Sequence, residues 1–231
     1  VLNGLDLDIP DRETLVVMGK SGCGKSVLLK IILRLIFPDE GGIFIDGVDT
    51  SLFDEKQIMP FRKNIGMLFQ GAALFDSMTV WENLAFPLYE HTEISAEEID
   101  DKIGRTLDFV SMDGTQAKFP SELSGGMKKR VALARALILT PDYVFFDEPT
   151  TGLDPVTSRL INQLVIKTRE EYGVTSIVVT HDLASAATVG TTFAFLHSGK
   201  IRFYGSYKEL ISSEDIVLKE FIKDASWRDR Q

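Results

Sequence analysis

Gly19, Lys20, Ser21, Gly22, Cys23, Gly24, Lys25 and Ser26 follow the pattern Gly-x-x-x-x-Gly-Lys-Ser, between an apolar run ending at Met18 and an apolar-periodic segment beginning at Lys25. Strand before and helix after is the context in which this spacing makes a phosphate-binding loop. The glycines let the backbone bend so that successive N–H groups point at one anion, and the helix start adds its positive dipole end. Lys25 then reaches the β- and γ-phosphates of a nucleoside triphosphate, and Ser26 offers a hydroxyl to Mg²⁺. A second group lies far along the chain, where the apolar run Val144–Phe146 ends in Asp147 and Glu148. Open α/β sheets bind ligands at the carboxyl ends of their strands. Asp147 is placed to hold Mg²⁺, directly or through water, and Glu148 to polarise the water that attacks the γ-phosphate. Pro149 is expected to keep Glu148 extended.

The elements that must position these groups read as alternating strands and helices. Val1 to Ile9 alternates as an exposed strand would, and Pro10-Asp11 turns it. After the loop and its helix, Ile43 to Ile45 is a short strand and Asp46-Gly47 a hairpin signal. Ile65 to Phe69 is an apolar run closed by Gln70-Gly71. From Thr79 to Met112 the pattern is helical, with Val80, Leu84 and Leu88 on one stripe. Ile94, Ile99, Ile103, Leu107 and Val110 form a second, capped by Ser95, and Glu97, Glu98, Asp100 and Asp101 read as its solvated face. A helix starts at Ser124-Gly125-Gly126 and runs to Pro141. Another, with Leu160, Leu164 and Val165, runs from Pro155 to Gly173. Ser176 to Val179 is a buried strand ending at Thr180-His181, a hairpin turns at Ser198-Gly199, and two short helices near Leu210 and Leu218 finish the chain. The expected fold is α/β, a P-loop NTPase core with a mainly parallel sheet and a small antiparallel β region. Residues 1–71 and 141–231 form that core, and 72–140 a helical insert.

The chain has 231 residues, 44% of them hydrophobic and 26% charged, enough for a substantial core. Its net charge of −9 argues against a nucleic-acid partner. The longest apolar stretch, Val27 to Phe37, carries Lys30 and Arg34 and is too short to span a bilayer, and no secretory signal precedes Val1. Cys23 is the single cysteine, which fits a reducing, cytosolic setting. It reads as a small filler of the phosphate loop, where alkylation would hinder nucleotide binding.

Leu123-Ser124-Gly125-Gly126-Met127, upstream of the Asp147-Glu148 strand, resembles the signature motif of ATP-binding-cassette (ABC) transporter ATPases. The family's other marks are matched in order by Gln70 (Q-loop), Gly152-Leu153-Asp154 (D-loop) and His181 (switch histidine), so the resemblance covers essentially the whole chain. It implies ATP as substrate, Mg²⁺ held by Ser26, Gln70 and Asp147, and a head-to-tail homodimer with two ATPs sandwiched between phosphate loop and signature. Ser124, Gly125, Gly126 and Asp154 then serve the partner subunit's nucleotide, Gln70 touches Mg²⁺ and the attacking water, and His181 contacts the γ-phosphate. Two features depart from the pattern. Met127 stands where glutamine is usual, and Val1 to Ile9 offers no aromatic to stack on adenine, so either the N-terminus has been trimmed or the base is held differently.

The segments Leu68 to Val80, Glu82-Asn83, Phe86-Pro87-Leu88 and Phe119 to Arg135 are similar to the ATPases that partner mammalian-cell-entry (MCE) domain proteins in Mla-type phospholipid trafficking. That likeness implies an integral membrane permease and an MCE-domain lipid-binding protein as partners. It also implies a cytoplasmic position, peripheral on the inner membrane through the permease. The apolar band Phe69 to Phe86, with Trp81, fits a groove for a permease helix. The alternatives are another importer-type ABC ATPase with different cargo and a soluble non-transport ABC ATPase. Sustained heptads or a second phosphate loop would mark the latter, and neither occurs.

Overall fold

The computed structural model describes residues 1–228. In chain order the elements are β1 (Thr14–Met18), α1 (Lys25–Ile32), β2 (Phe44–Ile45), β3 (Val48–Asp49), α2 (Glu55–Lys63) and β4 (Ile65–Leu68). There follow α3 (Val80–His91), α4 (Ala96–Phe109), a single 3-10 turn at Pro120–Glu122, α5 (Gly125–Leu137), β5 (Tyr143–Asp147) and α6 (Pro155–Tyr172). The chain continues with β6 (Thr175–Thr180), α7 (Leu183–Val189), β7 (Thr192–His197), β8 (Lys200–Gly205), α8 (Tyr207–Ser212) and α9 (Ile216–Arg228). The fold is α/β and divides into two compact units, one of Val1–Arg62 with Thr175 onward, the other of Lys63–Val174.

In the first unit the strands run in the order β6-β1-β7-β8, the first three parallel and β8 antiparallel at the edge. Every residue of β1 and β6 is buried, as expected of parallel strands covered on both faces. Met18 is paired with Thr180 on one side and Phe195 on the other. The phosphate loop and His181 therefore leave the sheet at the same, carboxyl, end. β2 and β3 form the small hairpin, turned by Asp46 at φ 51 and Gly47 at φ 76, the left-handed pair that a tight hairpin demands.

In the second unit β4 and β5 are parallel with Leu68 opposite Phe146, so Gln70 and Glu148 each lie two residues beyond the paired ends. α5 rides closely over β4. A Cβ on Gly66 would stand 2.5 Å from the Ala136 carbonyl oxygen, so only glycine admits that approach. α3 and α4 are each closed at the N-terminus by a capping box, Thr79 with Glu82 and Ser95 with Glu98. The stripe residues Val80, Leu84, Leu88, Ile99, Ile103, Leu107 and Val110 are all buried. Among the described residues no helix is long and apolar enough to cross a membrane.

Several expectations are corrected. Val1 to Ile9 forms no strand. It alternates in exposure and runs irregularly, with Asn3 N–H donating to the Gly199 carbonyl at 2.9 Å and the Asp8 carbonyl accepting from the Tyr204 hydroxyl at 3.2 Å. α2 went unread because Pro60 sits inside it and only Ile58 is buried, which leaves no apolar stripe to see. α9 is a helix of 13 residues rather than a short one. Leu160 points outward, while its neighbours Ile161, Leu164 and Val165 are buried.

Candidate nucleotide-binding site

In the first unit the phosphate loop is shaped by glycine. Gly22 at φ 80 and Gly24 at φ 112 take left-handed conformations, and Gly24 caps α1 with no side chain in the way. A Cβ on Gly19 would stand 2.5 Å from the Leu196 carbonyl oxygen and 2.6 Å from Cys23 Sγ. Cys23 thus fills space inside the loop, as its filler reading expects. The first turn of α1 carries no acidic side chain, which leaves its N–H groups and dipole open to an anion. Lys25, 6% exposed, donates from Nζ to the carbonyls of Gly19 (2.8 Å) and Lys20 (3.3 Å), so the ammonium is folded over the loop it is to serve. His181 is half-buried just past β6, and Asp182 beside it caps α7 by accepting from the Ala184 and Ser185 N–H groups.

In the second unit the buried carboxylates Asp147 and Glu148, each 8% exposed, stand at the end of β5. Glu148 is not extended. Its φ is 49, because the chain turns at once after the strand and the Glu148 carbonyl accepts from Thr151 N–H at 3.3 Å. The following proline disfavours the right-handed region at this residue but leaves the left-handed turn open. The Glu148 carboxylate is held in turn, since Oε2 accepts from the Thr151 hydroxyl at 3.0 Å.

Lys129 is a member of this site that sequence reasoning missed. It is 5% exposed, and its Nζ donates to the Glu148 carbonyl at 3.3 Å. Burial lowers its pKa below the usual lysine value, and the Asp147 and Glu148 carboxylates pull it back up. Helical spacing carried the signal, because Gly126, Lys129, Leu133 and Leu137 lie on one buried face of α5. A lysine there needs a partner.

Gln70 is exposed, inside a turn in which the Phe69 carbonyl accepts from Ala72 N–H at 2.9 Å. The signature residues Ser124 and Gly125 are exposed as well, and Ser124 caps α5 by accepting from Met127 N–H at 3.3 Å. Signature and D-loop are neighbours in this unit: a Cβ on Gly125 would meet Leu153 at 3.6 Å, and one on Gly126 would meet Thr157 at 2.3 Å. Asp154 caps α6. Its Oδ1 accepts from the N–H groups of Val156 (2.9 Å) and Thr157 (3.0 Å), and its Oδ2 accepts from the Thr157 hydroxyl. Trp81, assigned to a groove, is half-buried and donates its indole N–H to Asp100 at 2.7 Å, so that acid is more than a solvated face.

The structure thus gathers the phosphate loop and His181 at the carboxyl end of one unit's strands. Gln70, Asp147 and Glu148 gather at the carboxyl end of the other's. Ser26, Gln70 and Asp147 are oxygen donors, the set a hard cation such as Mg²⁺ takes. Among the described residues no cluster of three or more His, Cys, Asp or Glu could hold a metal ion.

The chain is similar to known proteins in both sequence and fold. The family model described as "ABC transporter" matches residues 2–151. The "Probable ribonucleotide transport ATP-binding protein mkl" of Mycobacterium leprae is 41% identical over 216 residues, 94% of this chain and 62% of that protein. The chain therefore spans about three-fifths of that relative's length. The "Intermembrane phospholipid transport system ATP-binding protein MlaF" of Haemophilus influenzae is 37% identical over 98% of this chain and 86% of that protein. Among solved structures, the dimeric post-hydrolysis state of the ATP-binding cassette MJ0796 bound to ADP and Pi superposes with a TM-score of 0.82 at 35% identity, covering 89% of this chain and 90% of that one. The structure of cbiO1 from Clostridium perfringens gives 0.84 at 29% identity over 94% and 86%. With the phosphate loop, the signature and the paired carboxylates all in place, the chain belongs to the ABC transporter family.

Proposed function

We propose that the chain is the ATP-hydrolysing subunit of a membrane transporter that moves phospholipids between membranes of a bacterial envelope. The observation that carries the chemistry is Glu148, a buried carboxylate turned by its backbone and held by Thr151 beside the Lys129 ammonium. Such a group is fixed enough to orient a water and take its proton, and positioning is most of what phosphoryl transfer asks of a protein. Lys25 and the loop N–H groups neutralise the phosphates, His181 contacts the γ-phosphate, and Gln70 orients the attacking water. Mg²⁺, held by Ser26, Gln70 and Asp147, supplies charge neutralisation at the phosphate oxygens when bound. Ser124, Gly125, Gly126 and Asp154 act on the nucleotide of a second copy, in a homodimer closed by two ATPs. Within this scheme residues 1–71 and 141–231 work as the catalytic core, and 72–140 as the insert that meets the permease.

The phospholipid cargo is supported by the likeness to MlaF over nearly the whole of this chain. It brings with it a permease, an MCE-domain lipid-binding protein and a place on the cytoplasmic face of the inner membrane. A second reading, a transporter of other cargo, draws on the likeness to mkl, whose name specifies ribonucleotide transport. Glu148→Gln is expected to keep ATP binding and to lose about 10²-fold or more in single-turnover cleavage, trapping a closed dimer. Cleavage at the wild-type rate would remove Glu148 from its role. Co-purification of the tagged chain from native membranes decides the cargo: a permease with an MCE-domain protein and phospholipid supports the first reading, and a permease without them the second.

A further inference from the structure

The residues that follow Gln70 are built in a way that its proposed role does not explain. Ala72 and Ala73 lie consecutively in the left-handed region, at φ 64 and 53, a conformation that side-chain-bearing residues keep only when their surroundings hold them there. What holds them is the half-buried Arg135. Its Nη2 donates to the Ala73 carbonyl at 2.7 Å and the Ala72 carbonyl at 3.4 Å, its Nη1 donates to Asn83 Oδ1 at 3.3 Å, and the guanidinium sits 5.6 Å from the Phe75 ring centre. Asn83, fully buried, continues the grip. Its Oδ1 accepts from Phe75 N–H at 2.9 Å, and its Nδ2 donates to the carbonyls of Phe75 (3.1 Å), Met78 (3.1 Å) and Thr79 (3.0 Å). The chain from Ala72 to Thr79 is thereby fastened at five carbonyls, and Ala72 itself closes the turn that contains Gln70.

We infer that Arg135 is a positioning residue for ATP hydrolysis: with Asn83 it locks the segment after Gln70 to α5, so that Gln70 and the exposed aromatic pair Phe75–Phe86 move with that helix as one body. This rests on the proposed role of Gln70. α5 begins at the signature and ends beside Arg135, so the clamp ties the two nucleotide-sensing segments of this unit across about 16 Å of helix. Phe75 and Phe86, in edge contact at 5.4 Å, are both partly exposed and carry the motion to the surface. The planar guanidinium fork serves two carbonyls from one nitrogen and an amide oxygen from another, whereas a lysine ammonium has its three donors on a single nitrogen and cannot span the same separation.

The test uses the full chain with Arg135→Lys, Arg135→Gln and, in parallel, Gln70→Ala. It measures kcat and KM for ATP together with amide hydrogen exchange. For Arg135→Lys, kcat is expected to fall about tenfold with KM within about twofold, while exchange at Ala72, Phe75 and Met78 rises about three- to tenfold and exchange in the helices stays put. Arg135→Gln, which keeps a planar amide but only one donor group, is expected to behave alike and stands in if the lysine variant folds poorly. Wild-type kcat in both variants with raised exchange at 72–78 would overturn the inference. So would exchange rising equally through α3, α4 and α5, the mark of a merely structural residue. Unchanged kcat in Gln70→Ala would fail the parent reading and the inference together, whereas loss there with full activity in the Arg135 variants would fail the inference alone.

Discussion

Adding one methyl group at Gly126 should separate packing from chemistry in the signature. A Cβ there would lie 2.3 Å from Thr157 Cγ2, far inside van der Waals contact, and 3.6 Å from Thr157 Cβ. Thr157 cannot simply rotate away, because its hydroxyl is bonded to Asp154 and its side chain is branched at Cβ. α5 and α6 must therefore part, or the Asp154 cap must break. Either response costs about 1–3 kcal/mol, the range of overpacking in well-packed cores. For a chain of this size each kcal/mol lowers the melting temperature by roughly 2–4 °C, so Gly126→Ala should melt about 2–12 °C below wild type. Thr157→Ser removes the offending methyl and keeps the hydroxyl, and the double variant should recover most of the loss. Gly125→Ala is the control. Its Cβ would meet Leu153 at an ordinary 3.6 Å, and alanine is favoured over glycine in a helix by up to about 1 kcal/mol. It should melt at or above the wild-type temperature while losing ATPase activity if nucleotide approaches that exposed backbone. Calorimetric melting of the four proteins decides the matter. Wild-type melting of Gly126→Ala, or no recovery in the double variant, would refute the steric argument.

Lys129→Met keeps the length of the side chain but removes the buried cation, and is expected to destabilise the chain by about 1–3 kcal/mol in urea unfolding. It should also lower kcat through a displaced Glu148; full stability and activity would show that the ammonium does neither. Acidification tests the caps. Backbone and side-chain hydrogen bonds from Ser95 hold the Glu98 carboxyl below its usual pKa, as those from Thr79 hold Glu82. A carboxylate whose folded pKa is depressed stabilises fully above its unfolded value, about 4.3, and the benefit disappears as pH falls through the folded value. Glu98→Ala should therefore melt below wild type at pH 7, with the gap closing toward pH 3; a gap independent of pH would mean that the carboxylate charge plays no part.

The two carboxyl-end clusters also account for a difference in build. The phosphate loop is made of backbone and needs glycine, so it presents N–H groups and one folded-back lysine. The Asp147-Glu148 end is made of side chains, and buried acids must be compensated where they stand. Lys129 and Thr151 do that work from α5 and from the turn after β5. One end offers donors, and the other carries buried charge.

Much of this was legible in the residues themselves. The phosphate loop, the helices α4 and α5 with serine at their starts, the helix α6 from Pro155, the hairpin at Ser198-Gly199 and the acids at the end of β5 are local matters. They depend on glycine at strained angles, on Ser or Asp at a helix start and on apolar spacing, all of which act between near neighbours. What stayed hidden has the opposite character. α2 has no apolar stripe, and the N-terminal segment has the alternation of a strand but no partner strand to complete it. The left-handed turn at Glu148 is imposed by where the chain must go next. Lys129 finding Glu148, Thr157 crowding Gly126 and Arg135 gripping Ala72 and Ala73 join residues from 19 to 63 positions apart. No rule of spacing names such partners, because burial of a charge or a carbonyl demands only that some partner be present. Which one it is follows from how the helices pack, and only the tertiary structure decides that.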